Sequence, residues 1–151
     1  MIEEKIKAAG FELPVTPKPL AAYIPALKTG RYVYTSGQIP MVKGELKYAG
    51  KIGKDFTVED GQKAARICAL NALSAIKGVA GNLDNIERII KVVVFVNSAD
   101  GFTGQPKVAN GASEFLGEIF GDAGKHVRSA VGVNELPINS AVEIEMIVSL
   151  K

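Results

Sequence analysis

The sequence predicts an α+β fold in which one sheet carries two helices on one face. Three observations support this prediction: two C-terminal segments alternate with a period of two, one internal run is almost continuously apolar and β-branched, and two segments have helical spacing. The chain has 151 residues, of which 47% are hydrophobic, so we expect a single domain spanning residues 1–151 with a sizeable core.

The N-terminal part predicts a short helix, an extended lead-in and a hairpin. Apolar residues at helical spacing between Ile2 and Ala9 indicate the helix, and Gly10 fits its end. Helix and proline-rich lead-in together occupy residues 1–20. We expect strands at Ala21–Leu27 and Arg31–Ser36, joined by a tight turn at Lys28–Gly30.

A long helix is predicted to follow the irregular stretch that ends near Phe56. Thr57 can cap its N-terminus while the Asp60 side chain reaches back to the cap. The apolar and alanine positions that follow allow close packing on a sheet, and Gly78 or Gly81 ends the helix.

The run Ile89–Val96 predicts a strand covered on both faces. A second helix begins near Pro106, which suits a first-turn position, and ends at Gly121. The order β-β-α-β-α-β-β places both helices on one sheet face and leaves the other without a cover. We therefore expect other copies of the chain to cover it.

The two C-terminal segments, Val127–Asn134 and Val142–Leu150, predict two strands joined by a short turn at Pro137 and Asn139. If these strands pair directly, Arg128 and Glu143 lie on one sheet face. The partner of Glu143 is then an even-numbered residue such as Ala130 or Gly132.

Arg128 is the main candidate for binding chemistry. Ala130 and Gly132 leave space beside it, and a guanidinium next to a vacancy suits bidentate binding of a small carboxylate. Glu143 can orient or deprotonate a water molecule. The alternative is that Arg128 simply pairs with Glu143 and Glu145 on a solvated strand face.

Composition excludes several classes of function. The net charge is +2 and no run of Lys or Arg exceeds two residues, so we expect no nucleic-acid partner. Cys68 is the only cysteine and is expected to be a buried, inert thiol; His126 is the only histidine, so multi-histidine metal sites are excluded. No signal peptide or membrane span is expected, which predicts a cytoplasmic protein.

Two separated motifs carry a resemblance to a known family. The strings Arg128-Ser-Ala-Val-Gly-Val, Leu136-Pro and Val142-Glu-Ile-Glu-Met, with Tyr34-Thr-Ser-Gly-Gln-Ile-Pro upstream, resemble the signatures of the reactive intermediate deaminase (Rid, or YjgF-like) family over nearly the whole chain. The resemblance implies a chorismate-mutase-like fold. It also implies a homotrimer whose sheets line a central barrel, with sites in the clefts between subunits.

The function that the resemblance implies is hydrolytic deamination. The substrates would be reactive 2-imino or enamine acids, such as 2-aminoacrylate and 2-iminobutyrate, and the products 2-keto acids and ammonia, with no metal and no cofactor. Two alternatives stay open: a non-catalytic regulatory trimer that binds small carboxylates, and an endoribonuclease or translation inhibitor. The modest charge and single histidine disfavour the last.

The resemblance also assigns residues to the site. Arg128 matches the carboxylate-binding arginine and Glu143 the glutamate linked to water, and these two are the catalytic candidates. The substrate-binding candidates are Tyr23, Ser36, Gly37, Asn110 and Ala130.

Each of these binding candidates also has a structural interpretation. Tyr23 can be ordinary rim packing, and Ser36 can be a strand end whose hydroxyl bonds to backbone. The match at Asn110 requires one inserted residue before Arg128. Many deaminases of the family carry cysteine where this chain has Ala130.

Overall fold

The computed structural model describes residues 1–18 and 22–151. The helices and strands are, in chain order, α1 (Ile2–Ala8), β1 (Ala26–Thr29), β2 (Tyr32–Thr35), β3 (Met41–Val42), β4 (Glu45–Leu46), α2 (Val58–Ala80), β5 (Ile86–Asn97), α3 (Gln105–Phe120), β6 (Val127–Val133) and β7 (Val142–Leu150). Five strands form one mixed sheet in the order β1-β2-β7-β5-β6, and β3 pairs with β4 in a small separate hairpin. The α+β class predicted from the sequence is confirmed.

The N-terminal helix and the hairpin turn lie where they were predicted, but the first strand begins later in the chain. The helix α1 lies where it was predicted, and the chain continues without regular structure to residue 18. Residues 19–21, which include the end of the lead-in and the predicted start of the first strand, lie outside the described residues. Strand β1 begins only at Ala26, and the hairpin turns at Gly30, whose φ of 58° is the left-handed conformation that glycine adopts readily.

Both long helices begin and end as predicted. At the start of α2 the Thr57 hydroxyl accepts a hydrogen bond from the Asp60 backbone amide at 3.2 Å, and the Asp60 carboxylate accepts one from the Thr57 amide at 3.0 Å. This reciprocal capping box satisfies backbone donors that the helix itself leaves free. Gly81 follows the last turn of α2 and Gly121 that of α3.

The two helices cover the same sheet face. Helix α2 packs over β1, β2 and β7, and α3 packs over β5 and β6. The helices pack closely at Gly111, where a Cβ atom would collide with the backbone carbonyl of Gln62 in α2. The helices can therefore pack this closely only because Gly111 has no side chain.

The predicted pairing of the two C-terminal strands is wrong. Strand β5 lies between them, pairing in parallel with β6 and antiparallel with β7. The connection from β6 to β7 passes over the end of β5, where Asn97 is fully buried. The Asn97 side-chain amide donates to the Asn139 side-chain oxygen at 3.2 Å and to the Ser140 carbonyl at 3.0 Å. These bonds hold the connection across the strand end, which a turn pattern read from sequence does not reveal.

The inserted strand also reverses the predicted placement of the charges. In the sheet Phe95 pairs with Val131 on one side and with Glu143 on the other, so Glu143 shares a face with Val131. Arg128 pairs with Val92, which is fully buried beneath the helices. Arg128 and Glu143 therefore lie on opposite faces of the sheet, contrary to the expectation from direct pairing.

The sheet face opposite the helices, called here the open face, has no cover within the described residues. Within one chain β5 is covered on its helix face only, as the order of the elements predicted, and its Val93 and Phe95 remain partly exposed. Cover of this face by other copies of the chain stays a prediction. The side chains that share the open face include Leu27, Tyr32, Tyr34, Lys91, Val93, Phe95, Val127, Ser129, Val131, Glu143, Glu145 and Ile147.

We expect two glycines of α3 to respond in opposite ways to alanine. Gly111→Ala introduces a methyl group against the Gln62 carbonyl and should lower the free energy of unfolding by about 1–3 kcal/mol. Gly117→Ala, where a Cβ has no atom within 4 Å, should raise it by about 0.5–1 kcal/mol. Urea denaturation of both variants tests the pair, and equal effects would contradict the close helix crossing.

Candidate functional site

Arg128 lies on the edge strand β6 and points toward α3. Its Nη1 atom donates hydrogen bonds to Asn110 Oδ1 at 2.9 Å and to Ser113 Oγ at 3.1 Å. Asn110 and Ser113 are three residues apart on α3, a spacing that places them on one face of a helix. Both partners are neutral, so the alternative in which Arg128 pairs with Glu143 and Glu145 is wrong for a single chain.

These two bonds leave one edge of the guanidinium available. Within the described residues, Nε and Nη2 of Arg128 have no hydrogen-bond or salt-bridge partner, and the residue is partly exposed. Nε and Nη2 form the pair of parallel donors that matches the two oxygens of a carboxylate. The arginine is thus anchored at one nitrogen while its fork remains open to a ligand.

His126 extends this group of residues. Its Nε2 atom lies 2.9 Å from Ser113 Oγ, and its Nδ1 atom lies 2.6 Å from the backbone oxygen of Gly124. Asn110, Ser113, His126 and Arg128 are called here the arginine cluster. A surface cavity of about 300 Å³ borders the cluster and is lined by Ser113, Gly117, Gly124, Lys125, His126 and Arg128.

The vacancy that the sequence predicted beside Arg128 is partly filled by the chain itself. A Cβ atom at Gly132 would lie 2.7 Å from Gln105 Nε2 and 2.9 Å from Ser98 Oγ, so these polar groups already occupy that space. Ala130, between Gly132 and Arg128 on the same face, is partly buried against the core. Open space at the cluster therefore lies toward His126 and Gly117 rather than toward Gly132.

A second group of candidates lies on the other side of the sheet. A Cβ atom at Gly37 would collide with Oε1 of Glu143, so the glycine allows the carboxylate to lie against the chain just after β2. The Ser36 hydroxyl donates to the Ile24 carbonyl at 2.7 Å, which is the backbone hydrogen bond expected if Ser36 has a structural role. Tyr23 precedes Ile24 and its side chain is 59% exposed. Tyr23, Ser36, Gly37 and Glu143 are called here the glutamate cluster.

The environment of Glu143 favours its protonated form. Partial burial, and then the neighbouring Glu145 carboxylate, raise the pKa of Glu143 above its ordinary value. A carboxylate with a raised pKa is a stronger base, which suits a group that removes a proton from water. Within the described residues, Glu143 has no salt-bridge partner that would counter this effect.

The sole cysteine lies beneath this region. Cys68 is completely buried, as predicted, and its thiol lies 3.6 Å from the Val142 carbonyl. Burial, with a smaller effect of Glu143, raises the pKa of the Cys68 thiol well above its usual range. The thiol is therefore kept in its unreactive, protonated form.

The two clusters are separated within one chain. They lie on opposite sheet faces, and β5 stands between the strands that carry Arg128 and Glu143. Two strand spacings amount to about 10 Å. A single chain thus presents two partial sites and cannot place one small molecule against both charged groups.

Sequence reasoning missed Ser113, although its spacing contained a signal. Ser113 follows Asn110 by three positions on α3, which places the two side chains on one face of the helix. His126 lies just before β6, where both of its ring nitrogens have hydrogen-bond partners.

The described part of the chain contains neither a candidate metal site nor a candidate membrane-spanning helix. No cluster of three or more His, Cys, Asp or Glu side chains there has an arrangement that could hold a metal ion. None of the helices found in residues 1–18 and 22–151 combines the length and apolar character needed to cross a membrane.

Comparison with known proteins gives a consistent result over the full length. The family described as "YjgF/chorismate mutase-like, putative endoribonuclease" matches residues 3–150. Protein TCP17 of Trypanosoma cruzi is 39% identical over 150 residues, covering 99% of this chain and 94% of that protein. A 2-iminobutanoate/2-iminopropanoate deaminase of Dermatophagoides farinae is 31% identical over 149 residues, covering 91% of this chain and 93% of that protein.

The fold has close matches among solved structures. The crystal structure of Atu1372 from Agrobacterium tumefaciens, a protein of unknown function, aligns with a TM-score of 0.93 at 41% sequence identity. The alignment covers 99% of this chain and 92% of that one.

We expect the stability effect of Glu143→Gln to depend on pH. The pKa of Glu143 is higher in the folded state than in the unfolded state, so folding takes up protons. The wild-type chain therefore loses stability as the pH rises from below the pKa of the unfolded state through the higher pKa of the folded state. The variant should therefore gain in melting temperature relative to wild type as pH rises above the ordinary carboxyl pKa of 4.5. Glu114→Gln, at an exposed position, is the control for removing one charge, and an equal gain in both variants would contradict the assignment.

Proposed function

Because the chain belongs to the YjgF/Rid family, we propose that it hydrolyses reactive 2-imino and enamine acids to 2-keto acids and ammonia. The observation that carries the proposal is the anchored guanidinium of Arg128, whose Nε and Nη2 edge is open to a carboxylate. The similarity to a protein named as a 2-iminobutanoate/2-iminopropanoate deaminase supports this choice of substrate.

The proposed reaction needs a bound carboxylate, an oriented water and a proton acceptor. Arg128 holds the substrate carboxylate and leaves the electrophilic iminium carbon facing the glutamate cluster. Glu143 accepts a proton from the attacking water as the C–O bond forms, and returns it to the nitrogen of the resulting carbinolamine. The C–N bond then breaks as the carbinolamine hydroxyl becomes the keto group, and Glu143 passes the hydroxyl proton to the departing ammonia. The iminium acid and one water thus yield the 2-keto acid and an ammonium ion, with no cofactor required by the step.

The partial sites require a second copy of the chain. We propose a homotrimer in which the open face is covered and the glutamate cluster of one copy faces the arginine cluster of the next. Tyr23, Ser36 and Gly37 then line the cleft from the side of Glu143, and Asn110 and Ala130 from the side of Arg128. The apolar side chains of the open face, including Phe95 and Ile147, support assembly because their burial is favourable.

A non-catalytic binder of small carboxylates is the second candidate. It is favoured by the separation of Arg128 from Glu143 in a single chain, since the guanidinium fork alone is sufficient for binding. The endoribonuclease named in the family description has less support, because the chain has a net charge of +2 and one histidine. Turnover of 2-iminobutyrate generated in the assay, measured against buffer alone, separates deamination from binding.

We expect Arg128→Lys to impair hydrolysis while the fold is retained. Lysine keeps the charge but lacks the planar pair of donors. We therefore expect kcat/KM for 2-iminobutyrate to fall roughly 30- to 1000-fold, which corresponds to a loss of about 2–4 kcal/mol of transition-state stabilisation. The melting temperature should change little, because the lost partners are two neutral side chains at a partly exposed position. An unchanged kcat/KM with a clear loss of melting temperature would show that Arg128 is structural.

We expect two inactive variants to restore activity when they are assembled together. Arg128→Ala and Glu143→Gln each remove one side of every site, but a mixed trimer contains one cleft in which both residues are intact. In a randomly assembled equal mixture, about three quarters of the trimers are mixed, and each mixed trimer has one intact cleft among its three. The mixture should therefore recover about a quarter of wild-type activity. The variants are unfolded and refolded together, with separately refolded chains as the control. No recovery in mixtures shown to be mixed trimers would rule out shared sites.

A further inference from the structure

A continuous hydrogen-bond chain runs from the backbone to the arginine. It passes from the Gly124 carbonyl to the imidazole of His126, then to the hydroxyl of Ser113, and ends at Nη1 of Arg128, with successive distances of 2.6, 2.9 and 3.1 Å. The proposed reaction assigns no part to Ser113 or His126, so it does not explain these contacts.

The two ends of this chain have fixed directions. A guanidinium has only donors, so Ser113 Oγ accepts from Nη1 of Arg128, and a carbonyl only accepts, so Nδ1 of His126 donates to the Gly124 oxygen. In a neutral imidazole whose proton is on Nδ1, Nε2 is an acceptor, and it takes the hydroxyl proton of Ser113. In this arrangement every polar atom of the chain has a partner.

We propose that Ser113 and His126 are positioning residues that set the orientation of the Arg128 guanidinium, an inference that rests on carboxylate binding by that group. Asn110 and Ser113 take both hydrogens of Nη1, which fixes the plane of the guanidinium as well as its distance. With Asn110 alone, the group can rotate about one hydrogen bond. With His126 absent, the Ser113 hydroxyl loses the acceptor of its proton, so the orientation in which its oxygen accepts from Arg128 is no longer fixed.

The backbone around Gly124 is built to support this chain. A Cβ atom at Gly124 would collide with the Leu116 carbonyl of α3, so only glycine lets this turn pack tightly on the helix. The carbonyl of Gly124 is thereby held where it accepts from His126. This anchor is a main-chain carbonyl that is held in place by packing on the long helix α3. The orientation of the His126 ring, and through Ser113 that of the Arg128 guanidinium, is therefore set by a rigid element.

The test compares the loss of each link with its conservative replacement. Ser113→Ala and His126→Phe remove the links, whereas Ser113→Thr keeps the hydroxyl and His126→Gln keeps an acceptor. Thr103→Ala removes an exposed hydroxyl outside the cluster and is the control. Measurements are kcat and KM for 2-iminobutyrate, the dissociation constant of 2-ketobutyrate by calorimetry, and the melting temperature.

We expect KM and the 2-ketobutyrate dissociation constant to rise by about 3- to 30-fold in Ser113→Ala and His126→Phe, with a smaller change in kcat. Ser113→Thr and His126→Gln should recover most of the lost affinity. In an Arg128→Lys background, Ser113→Ala should have little further effect, because the group that it positions is gone.

Three results would overturn the inference while leaving the proposed function in place: unchanged KM and binding in the two disruptive variants, losses that follow melting temperature and are not rescued, or full additivity with Arg128→Lys. Absence of imine turnover by the wild-type chain would instead overturn the proposed function, and 2-ketobutyrate binding would then test the positioning role alone. Absence of both turnover and binding would overturn both.

Discussion

The position of strand β5 between the two C-terminal strands determines the rest of the architecture. Because β5 pairs in parallel with β6, the chain must cross over between them, and α3 is that crossover. Because β5 also pairs with β7, the last strand returns through the middle of the sheet and joins both halves. The helix that covers β6 is consequently the one that supplies Asn110 and Ser113 to Arg128.

Local features of the fold were predictable because they depend on neighbouring residues. The capping box at Thr57, the ends of the long helices at glycine and the turn near Pro137 all follow from contacts within a few positions. Sheet order was not predictable from the same rules, because it depends on which strand a distant segment contacts. The buried amide of Asn97, which holds the β6–β7 connection, has no signature in a pattern of apolar positions.

In the candidate site, too, the functional residues could be identified from the sequence, but their placement in the sheet could not. Arg128 and Glu143 were identified as functional candidates from residue type and family resemblance, but the face that each occupies depended on strand pairing and was predicted wrongly. The alternative in which Arg128 pairs with carboxylates does not hold within one chain, since two neutral side chains hold the guanidinium. Neutral partners leave the positive charge of the guanidinium uncompensated, which favours an anionic ligand in a way that an internal salt bridge does not.

The location of the only thiol has a consequence for chemical resistance. Cys68 is enclosed in the core with its proton retained, and position 130, where the family resemblance implies a cysteine in many deaminases, is alanine. Oxidants and alkylating reagents act on accessible thiolates, and this chain presents none. Peroxide or electrophilic metabolites therefore have no sulfhydryl target beside Arg128, and a cysteine-directed reagent has no point of attachment there.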